Sequence, residues 1–151
     1  MRLTIVLVAA MSLVVIAVAQ EKKIQRADLP PGVEKTVATA LQGSTIKGFS
    51  QEQEHGQTYY EAEMMVSGHS KDVRMDKDGA IVEVEEQVAL DSLPGEVKQG
   101  LERKAGSGKI LKVESLTKHG KLVAYEAKVQ ANGKNREIQV GPEGRALDHE
   151  E

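Results

Sequence analysis

The residues that could carry chemistry are few and their spacing is informative. His55 and His119 each precede a glycine. A zinc site needs three or four clustered ligands, and neither histidine has a carboxylate or a second histidine at ligand spacing. Both read as solvated turn residues, so no metal site is assigned. Asp76-Lys77-Asp78-Gly79 resembles the start of a calcium loop, which requires a glutamate at its twelfth position. Counted from Asp76 that position is Gln87; counted from Asp72 it is Glu83, but the intermediate ligands are then wrong. A β-turn is the better reading. Gly106-Ser107-Gly108-Lys109 fails the phosphate-loop pattern, because Arg103 stands where the first glycine belongs and Ile110 where Ser or Thr belongs. No serine sits in a Gly-x-Ser-x-Gly elbow. With no cysteine, thiolate nucleophiles, disulfides and Cys-ligated metals are excluded. No catalytic residue and no cofactor are therefore expected, and the chain reads as a non-enzyme.

What remains is acidic pairs and a tyrosine. Glu61/Glu63 and Glu83/Glu85 are each spaced by two, which on a strand puts both carboxylates on one face. Tyr59 shares the first of these faces. The face is expected to be solvated, with carboxylates of near-normal pKa that make poor general acids. Tyr59, Glu61, Glu63, Glu83 and Glu85 are either a solubilising face or a candidate partner surface, on which Tyr59 either anchors the partner or packs against a neighbouring long side chain.

The elements that hold these residues follow from periodicity. Tyr60, Ala62, Met64 and Val66 alternate with Tyr59, Glu61 and Glu63, and Val82, Val84 and Val88 alternate with acidic residues. Ser67-Gly68, Asp78-Gly79 and Asn132-Gly133 mark tight turns. Leu29, Val33, Val37, Ala40 and Leu41 form a helical stripe with Asp28 as a plausible N-cap; Leu93, Val97 and Leu101 form another, with Asp91 or Ser92 in that role.

The amino terminus has a different character. Leu3 to Ala19 is almost unbroken apolar sequence after Arg2, and it ends in Ala17-Val18-Ala19. That is a signal-peptidase pattern, with cleavage expected after Ala19; the alternative is an uncleaved membrane anchor. Residues 1–19 are read as a signal peptide and 20–27 as a polar linker. Export to the periplasm or beyond follows, with no stable membrane span after cleavage. The net charge of -3 gives no electrostatic reason to hold nucleic acid.

The rest of the chain repeats. Leu29-Pro30-x-x-Val33 recurs as Leu93-Pro94-x-x-Val97, and Ile46 and His55-Gly56 recur 64 residues on as Ile110 and His119-Gly120. After one inserted residue, Tyr60-Glu61-Ala62, Gly68 and Gly79 return as Tyr125-Glu126-Ala127, Gly133 and Gly144. The expected fold class is α+β: two tandem repeats, 28–90 and 91–151, each a helix followed by a four-stranded antiparallel sheet with the helix packed on one face. The two sheets are expected to lie adjacent or continuous.

The repeated Leu-Pro-x-x-Val, Tyr-Glu-Ala and Lys77-Asp78-Gly79-Ala80-Ile81-Val82-Glu83 segments resemble the PepSY-like families of exported bacterial proteins, including the group similar to the β-lactamase inhibitor protein. The likeness spans nearly all of residues 28–148. It implies binding of an unknown protein or peptide, with regulation or inhibition of a peptidase or another envelope partner, and no catalytic residue. One Phe, three Tyr and no Trp do not reproduce the inhibitor's aromatic-rich concave sheet, and its cysteines are missing, which argues against direct action on a β-lactamase. The alternatives are a structural or stress-related envelope protein with weak metal binding, and a hydrolase for which nothing in the chain nominates a reaction.

Overall fold

The computed structural model describes residues 21–151. The expected signal segment and its cleavage point lie outside the described residues. Among the described residues no helix is long and apolar enough to cross a membrane.

Eight strands form one antiparallel sheet in chain order. They are β1 (Lys22–Ile24), β2 (Thr45–Glu54), β3 (Gln57–Val66), β4 (His69–Asp76), β5 (Ile81–Val88), β6 (Lys109–Lys118), β7 (Lys121–Ala131) and β8 (Lys134–Val140). Helix α1 (Pro31–Ala40) precedes β2 and helix α2 (Gly95–Ala105) precedes β6. Four hairpins close on two-residue turns whose residues both have positive φ: His55-Gly56, Ser67-Gly68, His119-Gly120 and Asn132-Gly133. This geometry matches the right-handed twist of the flanking strands.

Three features correct the expected architecture of two tandem helix-plus-four-strand units. First, the described residues are mostly β, in a single sheet. β5 pairs along its length with β6, from Glu83 opposite Lys118 to Val88 opposite Val113. A free β5 edge would leave a row of backbone donors and acceptors unpaired, and β6 satisfies them. Second, the carboxy-terminal part has three strands, not four. Beyond Val140, the Gly141 N–H bonds Arg145 O at 2.8 Å and the Gly144 N–H bonds Gly141 O at 2.8 Å. The chain curls there, and the polar stretch that follows lacks the alternation that would rebuild a strand. Third, the presumed linker contributes β1, paired to β2 through Lys22–Gln51, Lys23–Ser50 and Ile24–Phe49.

One face of the sheet is apolar and packs on the helices. Val33 and Val37 of α1 join Leu29, Leu41, Phe49, Ala62, Met64, Val73 and Met75 in one core. Val97, Leu101 and Ala105 of α2 join Val113, Ala127, Val129, Ile138 and Val140 in another. Each fully buried Val or Leu contributes about 1.5–3 kcal/mol, so these faces hold the helices down. Prolines Pro30 and Pro94 occupy the N-cap positions. Asp28 does not cap α1: it lies in a 3-10 turn, and its carboxylate accepts the Gln25 N–H at 2.9 Å. Asp91 and Ser92 likewise lie in a 3-10 turn before α2.

Candidate functional site on the open sheet face

Among the described residues no helix covers the opposite face, and strand register decides which side chains meet on it. Glu61 on β3 stands opposite Arg74 on β4, which stands opposite Glu83 on β5, itself opposite Lys118 on β6. This row alternates in sign. One step along the strands, Glu63 stands opposite Asp72 and Asp72 opposite Glu85. That row is acidic throughout. Further across, Glu114 on β6 faces Glu126 on β7, and Glu126 faces Gln139 on β8.

The structure thus brings Tyr59, Glu61, Glu63, Glu83 and Glu85 onto one surface. It also adds residues that strand-by-strand reading missed: Asp72, Arg74, Glu114, Lys118, Glu126 and Gln139. Alternation along a strand assigns a face, but only register tells which neighbours that face receives.

The expectation of a freely solvated face with ordinary carboxylates is corrected. Glu61, Glu63, Glu83 and Glu85 are all half-buried. Side chains from neighbouring strands of a twisted sheet crowd one another and displace water. Burial pushes Glu61 up to about 7, aided by repulsion from Asp72 and Glu63. Burial also pushes Glu85 up to about 8, with Glu126 and Glu114 adding like charge. Asp72 and Glu126 are raised for the same leading reason. A charge leaving water for a crowded acidic site favours its neutral form.

Cations hold the ends of this band. Lys23 pairs with Glu63, and Lys112 lies 2.6 Å from Glu114. Arg74 is the most enclosed cation of the face, its side chain 15% exposed. Its guanidinium reaches Glu54 at 2.5 Å and Glu52 at 3.2 Å, and lies 4.2 Å from the Tyr59 ring centre. The Arg74 hydrogen bond holds the Glu54 carboxyl below the usual carboxylate range. Tyr59 does not stand free as a lone anchor: its hydroxyl donates to Gln57 at 2.6 Å, and its ring roofs Arg74. A shallow pocket of about 260 Å³ opens beside this pair, lined by Glu54, Val82, Glu83, Lys118, His119 and Glu151.

The other residues singled out by chemistry are turn residues. His55 is largely exposed and 3.7 Å from Glu54. The His119 N–H donates to Val82 O at 2.9 Å. Asp76 Oδ1 accepts the Asp78 and Ala80 N–H groups, each at 2.9 Å, so its oxygen is spent on the turn. Carboxylate oxygens of Asp72, Glu85 and Glu114 lie within 4.8 Å of one another, close enough to share a cation.

No family model matches the sequence, and no curated protein matches it. Solved structures do share its fold. A "putative periplasmic" protein from Bacteroides eggerthii superposes with a TM-score of 0.65 at 18% identity, over 79% of this chain and 86% of that one. A DUF2874 family protein from Bacteroides ovatus gives 0.62 at 22%, over 80% and 86%. A protein from Bacteroides fragilis gives 0.58 at 19%, over 79% and 83%, and it is described as BLIP-like. The chain shares the fold of these three proteins. At these identities the likeness concerns the fold alone.

Proposed function

We propose that this chain is an exported, non-catalytic module that binds a protein or peptide partner on the open face of its sheet. The observation that carries this reading is the Tyr59–Arg74 stack, pinned by Glu52 and Glu54 at the margin of a sheet face rich in charge. A ring and a guanidinium fixed in advance lose little freedom on binding, which is the property of an interface anchor. Export rests on the amino-terminal signal pattern and is supported by the periplasmic description of a protein with the same fold. The BLIP-like description of another supports a protein as partner. The PepSY-like kinship, and with it regulation or inhibition of a peptidase, is consistent with the repeated motifs.

The test is affinity capture from the native envelope with the mature chain as bait. Tyr59→Ala combined with Glu61→Lys should lose a partner that wild type and a helix-face control, Glu102→Lys, both retain. Retention by all three forms would sink the assignment of the face.

A second reading, weak metal binding in an envelope-stress role, is favoured by the Asp72–Glu85–Glu114 approach. Isothermal titration with calcium, zinc and copper separates the two readings: heat that disappears in Glu85→Gln supports the second.

A further inference from the structure

The carboxy-terminal segment makes contacts that the sheet does not require. Past the turn at Pro142–Gly144, the chain returns to the open face. The Glu151 N–H donates to Gln139 Oε1 at 2.8 Å, and the Glu151 carboxylate stands 3.6 Å from Lys118 Nζ. Gln139 is on β8 and Lys118 on β6, so these two contacts straddle β7.

Two apolar residues belong to the same region of the face. Leu116 on β6 is opposite Glu85, and Ala124 on β7 is opposite Leu116, which places both on the open side. They are 3% and 0% exposed, yet neither belongs to the cores beneath α1 and α2. A buried leucine on a polar, helix-free face needs a cover. The contacts at Gln139 and Lys118 flank this part of the face, and Leu147 Cδ2 lies beside Gly141.

The anchor at one end is well formed. Gln139 is 5% exposed, and its Nε2 donates to Glu126 Oε2 at 2.8 Å. That bond fixes the amide and leaves Oε1 to accept the Glu151 N–H. The rest of the segment is loosely held, since Asp148, His149 and Glu150 are exposed. Beyond the turn bond from Gly141 N–H to Arg145 O, one hydrogen bond and one ion pair near water hold the end of the segment, a contact that a competitor can replace. The segment is also acidic and sits beside an acidic band, which weakens its hold further.

We infer that residues 145–151 form a displaceable strap, which covers the Leu116–Ala124 patch and narrows the Tyr59–Arg74 pocket in the free protein. This rests on the open-face reading above, for it supplies that face with an intramolecular occupant. A partner reaches the apolar patch only after the strap lifts.

The experiment compares the mature chain with the same chain ending at Leu147, by amide and methyl NMR. Shortening should shift the Gln139 side-chain amide, the Leu116 and Ala124 methyls and the Lys118 amide. The peptide Leu-Asp-His-Glu-Glu, added at millimolar concentration, should return these signals toward their full-length positions. The same peptide should bind the full chain at least tenfold more weakly, because the tethered copy competes at high effective concentration. Glu151→Ala in the full chain should reproduce part of the shift, and it serves as the second variant if the shortened chain folds poorly. Unchanged signals at all four residues, or equal peptide binding to both chains, overturn the strap. No partner enters this measurement, so its failure leaves the docking reading to be judged by the capture experiment.

Discussion

Gly79, in the turn between β4 and β5, lies against Gly32 of α1 so closely that a Cβ on either residue would overlap the backbone of the other turn or helix. Thr36 Oγ1 closes the contact by donating to Gly79 O at 2.7 Å. The carboxy-terminal part repeats the arrangement with its partners changed: Gly144 lies against the backbone of Glu96 and against Gly100 of α2. The turn glycine is kept in both places, while the small residue on the helix sits one turn further along in α2.

Substitution at this contact should therefore cost stability. Gly79→Ala meets both a positive φ of 87° and a filled space, and should lose about 2–4 kcal/mol. Gly43→Ala has a similar φ of 84° but open surroundings, and should lose about 1 kcal/mol. Urea unfolding of the two variants side by side isolates the packing term. Equal losses would remove the close approach as its cause.

Arg74 should resist conservative replacement. Arg74→Lys keeps the charge but loses the flat guanidinium whose Nη2 meets both Glu52 and Glu54 while its plane stacks on Tyr59. A loss of about 1 kcal/mol is expected. Arg74→Met leaves two carboxylates without their cation and should cost about 1–3 kcal/mol. Thermal unfolding ranks the three forms, and Lys matching Arg would contradict the role given to the stack.

Stability should fall as pH rises through neutrality. Glu61 and Glu85 hold their protons up to about 7 and about 8 when folded, against about 4.3 in an unfolded chain. Between these limits the folded state binds more protons, so the contribution is complete below the unfolded value and is lost as pH passes the folded values. Carboxylates held low by cations, such as Glu54 beside Arg74, act in the opposite sense and matter only in acid. Urea midpoints measured from pH 5 to 9 should therefore decline. Glu61→Gln with Glu85→Gln should flatten the profile and stabilise the protein at pH 8.5. An unchanged slope in the double variant would assign the decline to other groups.

Much of this surface was legible in the sequence, and the reason it was not all legible is physical. The turn pairs such as Asn132-Gly133 announced hairpins because few residues tolerate positive φ. The alternation of Tyr60, Ala62 and Met64 with Glu61 and Glu63 announced two faces. Neither signal carries cross-strand register, so the meeting of Glu63, Asp72 and Glu85 was invisible, and with it the rise in the proton affinity of Asp72 and Glu85. Whether the two sheets lie adjacent or join through β5 and β6 was left open likewise, since an apolar-acidic alternation such as Val82–Val88 serves an edge strand and a central strand equally. The Gly79–Gly144 correspondence suggested a fourth strand after Gly144, but Arg145 to Glu151 has no alternating apolar residues to bury, and the segment crosses the open face instead.

The claim that the open face receives a partner is tested most directly by site-specific photocross-linking in the native envelope. A photoreactive residue at position 59, beside Arg74, should give a discrete adduct. One at position 99, exposed on α2, should give none. Adducts from position 99 alone, or from neither position, would contradict the account.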